Sequence, residues 1–233
     1  MTRARTLLLH GAHARHRSQV VPEASLRVTE IFLSLQGESS RVGLPTVFVR
    51  LTGCPLRCHY CDTAYAFHGG TRLPFNTILE RVTEYHARYV TVTGGEPLAQ
   101  PGCPALLQRL CDLGYRVSLE TSGALDIRSV DKRVMKVMDL KTPGSGEAGK
   151  NDYQNIQYLT ATDEVKFVIR DRIDYDWAKE IMQRFSFPCE ILFSPSSGEI
   201  DPAQMAEWIL EDQLPVRFQI QLHKVIWGDI PGR

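Results

Sequence analysis

The chain has 233 residues, 43% hydrophobic and 23% charged, enough to bury one substantial core. Lys+Arg and Asp+Glu balance at 27 each, which excludes a global electrostatic pull toward nucleic acid or an anionic membrane. No apolar run approaches the roughly 18 residues of a membrane-spanning helix, and no repeat or low-complexity tract is present.

The N-terminus imitates a secretory signal. Arg3 and Arg5 precede Leu7-Leu8-Leu9, and Ala12-His13-Ala14 has the small-x-small form of a cleavage site, but His10 cuts the apolar stretch short. Export is therefore not expected, and a cytoplasmic location is. Residues 1–25 hold four Arg, three His and one acid with no sustained period, so they are expected to form a disordered extension. A single domain is expected over 26–233.

From Leu26 strand and helix patterns alternate. The β-rich stretches 26–36 and 46–51 come first, followed by a helical pattern over 76–87 with Asn76 as its N-cap. A strand is expected at 89–93, a helix over 103–114 ending at Gly114, and a strand at 115–120. Further strands are expected at 134–138, 165–169, 189–193 and 216–220. Helices are expected at 173–185 and 202–212, the last capped by Asp201 with Pro202 at its first position. Such alternation predicts an α/β fold of mostly parallel strands with outer helices, either a full or partial barrel or an open doubly wound sheet. Both place chemistry at the C-terminal ends of the strands.

Thr93-Gly94-Gly95-Glu96-Pro97, Glu120-Thr121-Ser122-Gly123 and Asp139-Leu140-Lys141 stand at such ends. The paired glycines would let a ligand approach the main chain, although a tight turn explains them as well. Between the first two strands and the first helix lies "GCPLRCHYCDT" (53–63), in which Cys54, Cys58 and Cys61 follow a Cys-x3-Cys-x2-Cys pattern. Soft thiolates at this spacing point to zinc or an iron–sulfur cluster in a reducing compartment. Structural zinc needs a fourth ligand, for which His59, Asp62 and His68 are candidates, but no second Cys or His pair follows at finger spacing. A cubane held by three thiolates keeps one iron open for a reactant. Cys103 and Cys111 share the helical spacing of Leu106, Leu107 and Leu110 and are expected in the core, as is Cys189 at a strand start. Trp177, Ile181, Met182 and Phe185 form an apolar helical stripe expected to pack.

The cysteine pattern with aromatic Tyr60, followed by a strand and "GGEP", resembles the radical S-adenosylmethionine (SAM) enzymes. With "EIFLSLQGES", "FVRLTGC", "CDT", "LETSG", "MDLKTPGSGE", "VKFVI" and a late "QLHK", spread over Leu26 to Lys224, the chain is similar to the 7-carboxy-7-deazaguanine synthase family. The resemblance implies a partial (β/α) barrel, a [4Fe-4S] cluster, SAM and Mg²⁺. It also implies a pterin substrate, 6-carboxy-5,6,7,8-tetrahydropterin, which a SAM-derived radical converts to 7-carboxy-7-deazaguanine with loss of ammonia, in queuosine or other deazapurine synthesis. An electron donor such as flavodoxin and a homodimer are implied as partners.

Residue by residue, the resemblance gives the cluster to Cys54, Cys58 and Cys61. The adenosine and methionine of SAM fall to Tyr60, Asp62, Gly95, Glu96, Asp139 and Lys141, with Ser194 in a further SAM-side loop. Thr63 matches the Mg²⁺ ligand, a hard cation suited to oxygen. Leu35, Gln36, Gly37 and Glu38 match the segment that reads the pterin edge. Arg50 matches the receiver of the substrate carboxylate, a fork-shaped donor suited to it, and Thr93 and His223 match further substrate contacts. The chain departs from the family where Ser39 replaces a second glycine, so that the turn is expected to differ, at Asp139 in place of a hydroxyl, and in the tail after His223. Two other readings share part of the pattern: a glycyl-radical-enzyme activase, which leaves "QGE", "CDT" and His223 unexplained, and a non-catalytic iron–sulfur or zinc module.

Overall fold

The computed structural model describes residues 24–228 and 230–232, so the extension expected over 1–25 lies almost wholly outside the described residues. The first described element is β1 (Ser25–Leu35), which pairs antiparallel with β2 (Pro45–Leu51) and with β3 (Thr71–Pro74). Beyond β2 the sheet continues in parallel through β4 (Tyr89–Gly94), β5 (Arg116–Thr121), β6 (Met135–Asp139), β7 (Glu164–Ile169), β8 (Glu190–Pro195) and β9 (Arg217–Phe218). The helices are α1 (Phe75–Glu84), α2 (Cys103–Asp112), α3 (Arg172–Arg184), α4 (Pro202–Glu211) and α5 (Leu222–Trp227). None of the described helices is long and apolar enough to cross a membrane.

Parallel strands covered on both sides by helices usually read as continuous apolar runs. Here they alternate. Val47, Val49, Val90, Val92, Leu119, Val165 and Phe167 join one buried core with Ile78, Leu106, Leu110, Tyr175 and Ile209 of the helices. Their neighbours Arg50, Thr93, Glu120, Asp139 and Lys166 face away from that core and line a common cavity. Adjacent strands are in register at these positions, with Arg50 beside Thr93 and Asp139 beside Lys166.

The sheet is open, with β3 and β9 at its two edges, yet it curls. β1 and β7 are five strand spacings apart, about 24 Å across a flat sheet. Glu38, three residues past β1, nevertheless bonds directly to Lys166 on β7. Only a sheet wrapped into a partial barrel allows that contact.

Several local expectations shift. Asp201 caps α4 by accepting from Ala203 N at 3.0 Å, with Pro202 first in the helix. Asn76 is not a cap: α1 opens one residue earlier after Pro74, and Asn76 accepts from Arg109 at 3.2 Å instead. The strand expected over 216–220 shortens to Arg217–Phe218. Cys103 is buried, whereas Cys111 and Cys189 are half-buried at the margin of the core. Ile181 is buried, and Trp177, Met182 and Phe185 pack partly exposed around it.

Candidate active site

The loop after β2 carries the three cysteines over the C-terminal strand ends. Cys54, Cys58 and Cys61 are half-buried free thiols along one wall of a cavity of about 250 Å³. The loop is fastened on two sides. Glu96 N donates to Gly53 O at 2.8 Å, while His59 N donates to Ser145 O at 3.0 Å and Arg57 N to Glu147 Oε1 at 2.6 Å. The paired glycines serve this fastening. A Cβ on Gly95 would stand 2.3 Å from Gly53 O and 2.8 Å from Cys54 Cβ, so the close approach is made by the cysteine loop itself. Burial pushes the Cys54 thiol up and the Cys58 thiol up to about 11, so metal loading must displace protons. Among the described residues no three Cys, His, Asp or Glu side chains converge on a point for a single ion.

Next to the thiols, Asp139 Oδ2 lies 3.0 Å from Lys141 Nζ and 3.5 Å from Lys166 Nζ. Burial raises the Asp139 carboxyl, but the two ammonium groups more than offset it and hold it below its usual range. Its other oxygen is buried with no hydrogen-bond donor among the described residues, an acceptor of the kind that a ribose hydroxyl satisfies. Tyr60 lies 3.4 Å from Thr142 Oγ1, and burial keeps its phenol neutral, up to about 12. Two expected residues stand back from the cavity. The buried Glu96 carboxylate accepts from Thr121 Oγ1, Ser122 N and Oγ, and Leu98 N, so it ties the strand ends together. Ser194 is buried behind Ser196 and Ser197, which line the wall in its place.

The far end of the cavity belongs to Leu35–Glu38, Arg50, Thr93 and His223. Gln36 Nε2 donates to Thr91 Oγ1 at 3.1 Å and Glu120 Oε1 at 3.3 Å, and Thr93 Oγ1 donates to Glu120 Oε2 at 2.8 Å. Glu38 accepts from Lys166 Nζ and, at 2.7 Å, from Gln221 Nε2. Burial raises its carboxyl, and Lys166 with Gln221 more than offsets that, leaving it below the ordinary range. Arg50 Nε donates to Glu30 Oε1 at 2.6 Å, which also accepts from Tyr65 at 2.7 Å. This fixes the guanidinium, and its two terminal nitrogens make no hydrogen bond among the described residues. Leu222 N donates to Gly37 O at 3.0 Å, which lays α5 across the "QGE" segment. Ser39 sits at φ 69°, in the left-handed region that favours glycine, and its N donates to Gln219 Oε1 at 2.8 Å.

At the mouth, Thr63 Oγ1 donates to Asp62 Oδ1 at 2.8 Å, and Lys224 Nζ lies 3.2 Å from Asp62 Oδ2. Burial raises the Asp62 carboxyl, and Lys224 and Thr63 outweigh it, bringing it to about 2. Sequence reasoning placed Glu120 at a strand end without giving it a role and assigned none to Lys166, Gln221 or Lys224, all of which line the cavity. Lys166 carried a signal: it is the lone cation of "EVKFVI", and period two sets it opposite Val165 and Phe167.

With this geometry in place, likeness to known proteins becomes decisive. Residues 48–186 match the radical SAM superfamily. The 7-carboxy-7-deazaguanine synthase of Chlorobaculum tepidum is 45% identical over 211 residues, covering 88% of this chain and 96% of the relative. The enzyme of the same name from Koribacter versatilis is 41% identical over 219 residues, covering 87% and 97%. The chain belongs to the 7-carboxy-7-deazaguanine synthase family. In fold it is similar to the crystal structure of QueE from Escherichia coli, with a TM-score of 0.73 and 23% identity over 85% of this chain and 95% of that one. Membership of this radical SAM family carries with it a [4Fe-4S] cluster and SAM, and the thiol wall and the donorless Asp139 oxygen fit both.

Proposed function

We propose that this chain converts 6-carboxy-5,6,7,8-tetrahydropterin to 7-carboxy-7-deazaguanine with release of ammonia. The observation that carries the reading is the polarity of one cavity: three thiols on one wall, and beyond them an arginine fork and a buried anionic carboxylate, Arg50 and Glu38. A flat heterocycle with a carboxylate at one end and N–H donors at the other is complementary to that pair.

Cys54, Cys58 and Cys61 would hold the cluster, and Tyr60, Asp62, Asp139, Lys141 and the main chain at Gly95–Glu96 would hold SAM. When bound, these groups supply the radical chemistry of the ring contraction. Arg50 grips the substrate carboxylate through its terminal nitrogens, and Glu38 accepts from the pterin N–H edge. Gln36, Thr93 and His223 fix the plane between them. Phe32, Leu35 and Phe48 supply an apolar boundary that keeps water from the reacting centre. Thr63 offers a hydroxyl oxygen to Mg²⁺, its hydrogen already directed to Asp62. A flavodoxin-like electron donor, a homodimer and a cytoplasmic location complete the reading, supported by the family resemblance.

The test is direct. Anaerobically reconstituted protein is incubated with SAM, a reductant and the pterin, and the product is identified by mass. The deazaguanine carboxylate with methionine recovery from SAM no greater than the uncoupled background is expected, since the family regenerates SAM. SAM cleavage with the pterin returned unchanged would overturn the assignment, and would favour an activase acting on a protein.

A further inference from the structure

Lys166 has no role in the chemistry above, yet it stands at the junction of the cavity's two ends. Its ammonium bonds to Glu38 and lies 3.5 Å from Asp139, which in turn lies 3.0 Å from Lys141. The four side chains form a track of alternating charge, each only 10–15% exposed. Glu38 belongs to the pterin end and Asp139 to the SAM end. Burial works against a charged Lys166, and Glu38 and Asp139 more than restore it, so the ammonium persists.

We propose that Lys166 is a positioning residue that makes SAM and pterin binding interdependent, because one ammonium is shared between the carboxylate facing each ligand. This rests on the substrate reading above. The mechanism is competition for a single cation. Asp139 keeps one buried oxygen without a donor. A hydroxyl donated to that oxygen by SAM weakens the demand of Asp139 on Lys166 and leaves the ammonium to Glu38. Glu38 is then held in one orientation for the pterin N–H edge. Linkage requires the converse, so that a bound pterin tightens SAM by the same factor.

The experiment measures SAM affinity by calorimetry on cluster-loaded protein, with the cluster left oxidised so that no turnover follows, with and without saturating pterin. In the parent the pterin should tighten SAM at least about fivefold, the lower end of ordinary coupling. In Lys166→Met the ratio should fall below about twofold. A purely structural lysine would weaken both affinities and leave the ratio intact, so a retained ratio overturns the proposal, as does its absence from the parent. Should Lys166→Met fail to fold, Asp139→Asn cuts the same track while keeping the ammonium and must also lose the coupling; retention there is equally fatal. The parent's product mass separates the two failures. Product without coupling removes only the role of Lys166, whereas absence of product removes the substrate reading itself.

Discussion

Replacing Gly37 by alanine isolates what His223 does. Gly37 has no left-handed φ to protect, so alanine meets no backbone strain there, and the cost comes from one neighbour. A Cβ at this position would stand 2.0 Å from His223 Nδ1 and 2.9 Å from its Cγ, against the 3.4 Å at which ordinary contact begins. The imidazole must therefore retreat by about 1.4 Å from its place in the cavity wall. Losing a hydrogen bond from the ring to the bound pterin would cost about 0.5–1.5 kcal/mol, and a misplacement on the order of 1 Å in a preorganised site costs up to about a hundredfold. We expect kcat/KM for the pterin to fall roughly ten- to a hundredfold in Gly37→Ala, with uncoupled SAM cleavage preserved. The assay is steady-state kinetics in a double-mutant cycle with His223→Ala. With the ring already removed, alanine at 37 should add less than about twofold. An equal loss in both backgrounds would refute the reasoning and place the effect in the turn rather than in the histidine.

The remaining predictions concern the metals. Cys58→Ala should abolish cluster absorbance and SAM cleavage, whereas Cys111→Ala, at the half-buried margin of the core, should leave both nearly intact and cost only some packing; equal loss in the two variants would remove the cluster assignment. Thr63→Val keeps the side-chain shape and deletes the oxygen, so cluster content and uncoupled SAM cleavage should persist while pterin turnover drops and its Mg²⁺ response flattens. A normal titration with Mg²⁺ would reduce "CDT" to a loop.

Much of the scaffold was legible because burial on one face imposes a period on each strand. Val90 and Val92 or Val165 and Phe167 announce a strand whatever lies opposite them. β3 and α5 went unread for physical reasons. In β3 only Leu73 is buried, and in α5 Val225 and Ile226 are exposed, so neither element writes its burial into a pattern. The site divides in the same way. The cysteine loop was legible because its chemistry is local, three ligands within eight residues. Lys166 was legible as a lone cation on the far face of its strand but not as a partner of Glu38, which lies 128 residues away, a distance that no local spacing encodes. Glu96 is the opposite case: its motif marks a real strand end, and its carboxylate turns inward to donor groups on three residues, Leu98, Thr121 and Ser122.

The seam between the "QGES" turn and the segment before α5 also governs when this protein becomes competent. Ser39 meets Gln219 across 180 residues and Glu38 meets Gln221 across 183, so these contacts close two of the longest loops in the chain. During synthesis the cysteine loop emerges long before the residues that roof the cavity exist. The two sides of the pterin end are thus supplied from opposite ends of the chain, and the chamber is complete only once Gln219–His223 has docked on the "QGES" turn.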